Sequence, residues 1–295
     1  MFSIRSGLSG LGLALLLSAC GGGGGGPGTP TTPATAPISG VAVDGYLEGA
    51  MAFADCNNNG SKDSDEKSAI TNAQGSFTLN LTADETKCRI VVEATANTKD
   101  TGVPVSAPFK LITPAPGSGS SVVVSPLTTQ VVAAMTANSN LTLEQAVSQV
   151  RSDLGITAPG VDLMADFVKL KSSGTNSANY AQLHNVAIAL TGVLQTVTAQ
   201  NTDLQSALGK LSTKFETVIK PHLDIIKAAD SSDPSSVLKA LDKAINPPSL
   251  STPNGIVFDT GAASLTDEKS GAQSLTSTFS VDTLMFTEAN LSKSN

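Results

Sequence analysis

Alternation between apolar and polar positions dominates the first third of the chain, and three-to-four spacing dominates the middle. Ile38 to Val43 alternates apolar with small residues, and Gly45 and Gly49 punctuate the segment after it. Met51-Ala52-Phe53 then runs into an acidic stretch. Gly75-Ser76-Phe77-Thr78-Leu79-Asn80-Leu81 and Arg89-Ile90-Val91-Val92-Glu93 are again β-rich. Runs of this length between Gly and Asn turns predict short strands over residues 39–112, assembled as a small antiparallel β-sandwich.

The pattern changes after Pro104, Pro108, Pro114, Pro116 and the 117–121 Gly/Ser run, which mark a linker. Val122 to Thr129 leads into helical spacing. Thr142 with Gln145 three residues on is a capping box, Leu143, Ala146, Val147, Val150 and Leu154 share a face, and Gly155 is a natural stop. Tyr180, Leu183, Ala187, Leu190, Leu194 and Val197 form one seam; Leu204, Leu208, Leu211, Phe215 and Val218 form another. They predict an antiparallel helical hairpin around Asn201-Thr202, with one of those two residues as the cap. The stripes suit either a partner face or internal packing. Pro221 ends or kinks the second helix, and Asp233-Pro234 starts another through Ile245.

The fold class expected is therefore α+β and multidomain, a sandwich followed by an α-helical bundle. The boundaries fall at a signal over 1–19, a tether over 20–38, the sandwich over 39–116, the helical domain over 117–246, and a Ser/Thr-rich tail over 247–295. In that tail Ile256-Val257-Phe258 and Phe279 to Phe286 suit strands.

Composition narrows the chemistry. The 295 residues are 40% hydrophobic but only 4% aromatic, with no Trp, and acidic residues exceed basic ones by 25 to 18. A net charge of −7 argues against a nucleic-acid partner, which clustered Lys and Arg would serve. Two His and three Cys leave little for multi-His centres or zinc ribbons. His184 and His222 are the only imidazole bases. The chain has no H-E-x-x-H and no phosphate or dinucleotide fingerprint. Abundant Asp and Glu leave a carboxylate dyad open, but Tyr46 and Tyr180 alone are thin material for a sugar-stacking groove.

The sharpest motif is Asp55-Cys56-Asn57-Asn58-Asn59-Gly60-Ser61-Lys62-Asp63-Ser64-Asp65-Glu66. Counted from Asp55, side-chain oxygens fall at positions 1, 3, 5, 9 and 12, with Gly at 6. That is the spacing of a twelve-residue calcium loop. A hard cation takes six to eight oxygens, here Asp55, Asn57, Asn59, the Ser61 carbonyl, Asp63 and Glu66. With only three carboxylates among them, the expected dissociation constant is on the order of 10⁻⁵ to 10⁻³ M. The competing reading is a polar hairpin turn at Asn59-Gly60. No helical pattern flanks the loop, so it is not an EF-hand.

Residues 1–20 read as an export signal, with Arg5 before a Leu8–Leu17 apolar run too short to span a bilayer. Leu17-Ser18-Ala19-Cys20 resembles the lipobox of bacterial lipoproteins. The resemblance implies cleavage before Cys20 and acylation of Cys20, giving a membrane anchor. By the same resemblance Gly21, rather than Asp, implies the outer membrane. An ordinary secretory signal is the alternative. The six glycines after Cys20 and the Pro/Thr run to Pro37 are a tether.

Gly45 to Ala50, the acidic loop, and Thr71-Asn72-Ala73-Gln74-Gly75-Ser76-Phe77 resemble a second family over roughly residues 39–95. These are the calcium-stabilised, prealbumin-like β-sandwich modules of bacterial surface proteins, known as SdrD B-like or carboxypeptidase regulatory-like domains. The resemblance implies a structural calcium ion and a role in spacing, presentation or adhesion.

With Cys20 lipidated, Cys56 and Cys88 are the remaining thiols in an oxidising compartment, and a Cys56–Cys88 disulfide is expected; a redox pair is the other reading. The function these observations imply is a non-catalytic outer-membrane lipoprotein acting in presentation, adhesion or envelope assembly, with an unidentified protein or glycan partner. Two alternatives stand beside it: an accessory or hydrolytic enzyme of envelope or polysaccharide metabolism, and a periplasmic ligand-binding protein.

Overall fold

The computed structural model describes residues 34–117, 121–200, 203–230 and 233–245. The expected signal, Cys20, the Gly-rich part of the tether and the Ser/Thr-rich tail lie outside the described residues. The chain is a mixed α+β protein. Its strands are β1 (Thr35–Ala42), β2 (Leu47–Glu48), β3 (Met51–Asp55), β4 (Ser68–Ile70), β5 (Ser76–Thr82), β6 (Arg89–Ala94), β7 (Lys99–Asp100), β8 (Val103–Pro104), β9 (Phe109–Thr113) and β10 (Val122–Val124). They form three sheets, ordered β10-β1-β5, β2-β7-β8 and β4-β3-β6-β9.

Strand β5 shows the predicted alternation: Phe77, Leu79 and Leu81 point inward and Ser76, Thr78 and Asn80 outward. Strands β3 and β6 are different, since Ala52, Phe53, Ala54 and Asp55, and Ile90, Val91 and Val92, are buried in unbroken runs. An unbroken buried run means that both faces of the strand are covered. Not every pairing is antiparallel as expected. β1 pairs parallel with β10, Gly40 opposite Val122 and Ala42 opposite Val124. Parallel neighbours need a long crossover, and here all of β2 to β9 intervenes.

Helix α1 (Pro126–Ala137) follows β10 directly. Ser125 caps it, accepting from the Thr128 N–H while the Thr128 hydroxyl accepts the Ser125 N–H, and Pro126 fills the first helical position. Every residue from Pro126 to Ala134 is buried, so α1 is a central helix. Thr128 and Thr129 fasten it to the sheet. Thr129 Oγ1 accepts the Ile112 N–H at 2.8 Å, and Thr128 Oγ1 donates to the Ile112 carbonyl at 2.7 Å.

The remaining helices are α2 (Leu143–Asp153), α3 (Phe167–Leu170), α4 (Ser177–Gln200), α5 (Leu204–Lys214), α6 (Leu223–Ala228) and α7 (Pro234–Ile245). The Thr142–Gln145 capping box forms as expected, and Gly155 follows α2 with φ +60°. Asp203, not Asn201 or Thr202, caps α5 by accepting the Ser206 N–H. A carboxylate one residue later meets the same orphan donors. Before Pro221 the helix widens to a π turn over Phe215–Ile219 and then tightens to a 3-10 turn. Proline lacks the N–H that would continue the ladder, which accounts for the break. Strand and helix residues share one hydrophobic core, from Ile38 and Phe53 through Leu127 to Leu190 and Leu241. Among the described residues no helix is long and apolar enough to cross a membrane.

Candidate functional site

The acidic loop leaves the sheet at Asp55, the last residue of β3, and returns at Ser68 in β4. Asp55 is fully buried. Its Oδ2 accepts the Gly60 N–H at 3.1 Å, which folds the loop back over its own start. Its Oδ1 is also buried and has no hydrogen-bond partner. A buried carboxylate oxygen without a hydrogen bond is costly, and the nearby Arg89 charge acts against that cost.

The next two expected ligands are turned by the backbone. Asn57 Oδ1 accepts the Asn59 N–H at 3.0 Å, and Asn59 Oδ1 accepts the Ser61 N–H at 2.7 Å. Each amide oxygen keeps a second lone pair. Gly60 takes φ +73°, the left-handed turn for which position 6 needs glycine. Glu66 reaches back across the loop: Oε1 accepts the Cys56 N–H at 2.9 Å, and Oε2 accepts the Asp63 N–H at 3.1 Å. Positions 2, 9 and 12 are thus tied together. Asp63 Oδ2 accepts from Asn57 Nδ2 at 2.7 Å and Asn59 Nδ2 at 2.8 Å. Lys62 Nζ donates to the Asp63 carbonyl.

Among the described residues no three or more His, Cys, Asp or Glu side chains gather as a metal cage. The loop's oxygens nevertheless fit calcium by donor type, since the set mixes carboxylates, amides and a carbonyl and includes the partnerless Asp55 Oδ1. The Asn57 and Asn59 side-chain N–H groups on Asp63 supply, as dipoles, part of the positive charge an ion would bring.

Two further groups brace the loop. Cys56 and Cys88 form the expected disulfide, with Cα atoms 4.5 Å apart. Arg89, the next residue, pairs with Asp55 across β3 and β6. Its Nη2 donates to the Asn58 carbonyl at 3.4 Å. Burial pulls the guanidinium pKa down, and the Asp55 charge acts against that. Arg89 carried no signal in the sequence beyond following Cys88.

The imidazoles do other work. His184, on α4, is buried, stacks obliquely on Phe167 at 5.7 Å, and has Nδ1 2.7 Å from Lys171 Nζ. Burial first, and the Lys171 charge second, push its pKa down to about 4. Near it lie Asp44 and Asp100, both held above the usual carboxylate range. Burial is the main cause for each, and for Asp44 the Asp100 charge adds to it. Tyr46 donates to Asp166 Oδ2 at 3.1 Å, and burial beside that carboxylate pushes its phenol up to about 12. Tyr180 accepts the Asp162 N–H at 3.1 Å. His222 is held by its own helix, Nδ1 donating to the Val218 carbonyl at 2.7 Å. The polar group around His184 spans the turn after β1, strand β7, the end of α3 and α4, and it ties helices to strands.

No protein-family model, no curated protein and no solved structure matches the chain.

Proposed function

We propose that the chain is a non-catalytic, lipid-anchored protein of the bacterial outer membrane, serving in surface presentation, adhesion or envelope assembly. In this reading Cys20 carries the acyl chains and the Gly/Pro/Thr run holds the folded part off the membrane. Sheets β10-β1-β5 and β4-β3-β6-β9 are the two layers of a calcium-braced sandwich. The helices pack on those layers through the hydrophobic core that strands and helices share.

The observation that carries the reading is the loop from Asp55 to Glu66, which holds one buried carboxylate oxygen with no hydrogen-bond partner. A structural cation gives that oxygen a reason. His184 favours a structural role. A buried imidazole with pKa about 4, its Nδ1 taken by Lys171, is neutral at pH 7 and already occupied.

Calorimetric titration of the purified protein with calcium chloride tests the metal. Saturable binding of one ion, with a dissociation constant on the order of 10⁻⁵ to 10⁻³ M, is expected. Mass spectrometry of the protein from its native membrane tests the anchor. The expected product begins at an acylated Cys20; an unmodified N-terminus elsewhere overturns the lipoprotein assignment.

A further inference from the structure

We propose that the acidic loop is a latch for α5, so that a cation in the loop fixes where that helix docks. The inference rests on the calcium reading and concerns how occupancy of the site is passed on. The loop is packed against the start of α5. Leu204, the first residue of α5, sits on Gly60 so closely that a methyl group there would lie 2.6 Å from Leu204 Cβ. Gln205 Nε2 donates to the Asn58 carbonyl at 3.4 Å, the same carbonyl that Arg89 reaches. Gly60's own carbonyl accepts from Lys110 Nζ at 2.6 Å. A pocket between the two surfaces is lined by Asn59, Gly60, Lys110, Leu194, Leu204 and Leu208, among others.

The contacts run through loop backbone rather than through long side chains. Asn58 and Gly60 both have positive φ, 61° and 73°. Asn and Gly are the two residues that take this left-handed conformation most readily, so the backbone turns at both positions. The Asn57–Ser61 stretch therefore serves two faces at once. Turning Asn57 and Asn59 toward an ion sets the position of the Asn58 carbonyl and of Gly60, and α5 rests on both. From α5 the effect reaches α1 and α4, on which it packs. Linkage makes this reciprocal: if calcium tightens the docking of α5, the docking of α5 must tighten calcium.

Hydrogen–deuterium exchange of the purified protein, with about 5 mM calcium chloride or with EGTA, tests the latch. Calcium should slow exchange in the loop and, roughly fivefold or more, in α5. The slowing in α5 should exceed that in α2, which packs on α1. Leu204→Ala and the milder, surface-located Gln205→Ala should each weaken calcium binding, Leu204→Ala by roughly fivefold, although neither residue is a ligand. Protection of the loop with α5 slowed no more than α2, and wild-type affinity in both variants, would overturn the latch and leave the calcium site standing. A loop that calcium does not protect removes the calcium reading and the latch with it.

Discussion

Lys171 Nζ lies 2.7 Å from His184 Nδ1, so the ammonium donates to a neutral imidazole. The proton of that imidazole is therefore on Nε2. The unfolded pKa is near 6.5 and the folded one about 4, so the unfolded chain takes up a proton first as pH falls. His184 thus contributes stability that is complete above about pH 6.5 and is lost progressively toward pH 4, by up to about 3 kcal/mol. Urea midpoints measured across that window should fall more steeply for wild type than for His184→Gln. Parallel profiles would contradict this.

Asp44 shifts the other way. Its pKa is raised, by burial and then by Asp100, and its Oδ1 has no partner. The charged form is the costly one, so its contribution improves as pH falls through the folded pKa. Asp44→Asn removes the charge and keeps the shape. It should raise the unfolding temperature at pH 7, and the gain should shrink as the pH is lowered toward 4. A variant less stable than wild type at pH 7 would show that the Asp44 charge is instead compensated.

The Cys56–Cys88 disulfide closes a separation of 32 residues. On chain entropy its loss should cost about 3–4 kcal/mol. Chemical unfolding with and without reductant, and of the Cys56→Ser/Cys88→Ser double variant, measures it. Reduction should also weaken calcium binding, because Cys56 is the loop's second residue and its N–H holds Glu66.

Thr129→Val keeps the shape of the side chain and removes the oxygen that accepts the Ile112 N–H. The donor is then buried and unpaired, which should cost about 1–3 kcal/mol. The Ile112 carbonyl keeps Thr128, so the fold should survive the change. An unchanged urea midpoint would place the join between α1 and β9 elsewhere.

Local rules carried the sequence far where neighbours in the chain are neighbours in space. The turn at Gly60, the Thr142–Gln145 box, the Gly155 stop, the break at Pro221 and the Asp233-Pro234 start all act within a few residues, and all are present. The cysteine pair followed from counting. The hidden features are those that depend on tertiary contact. Val122–Val124 read as a lead-in to a helix, because nothing within the run tells of β1 some eighty residues earlier. Asp44, Asp100, Lys171 and His184 are each ordinary in their own windows and become a group only when α4 is laid against the strands. The Leu204–Gly60 contact is hidden in the same way, because seam periodicity shows that Leu204 is buried but not against what.

Thermal unfolding with a ligand knockout tests most directly whether the loop from Asp55 to Glu66 holds a calcium ion that braces the fold. With a dissociation constant on the order of 10⁻⁵ to 10⁻³ M, about 5 mM calcium should stabilise the wild-type protein by roughly 1–4 kcal/mol relative to EGTA. A calcium-braced loop predicts a clear rise in the wild-type midpoint with calcium and none in Asp55→Asn. Superimposable wild-type curves in calcium and in EGTA would contradict it.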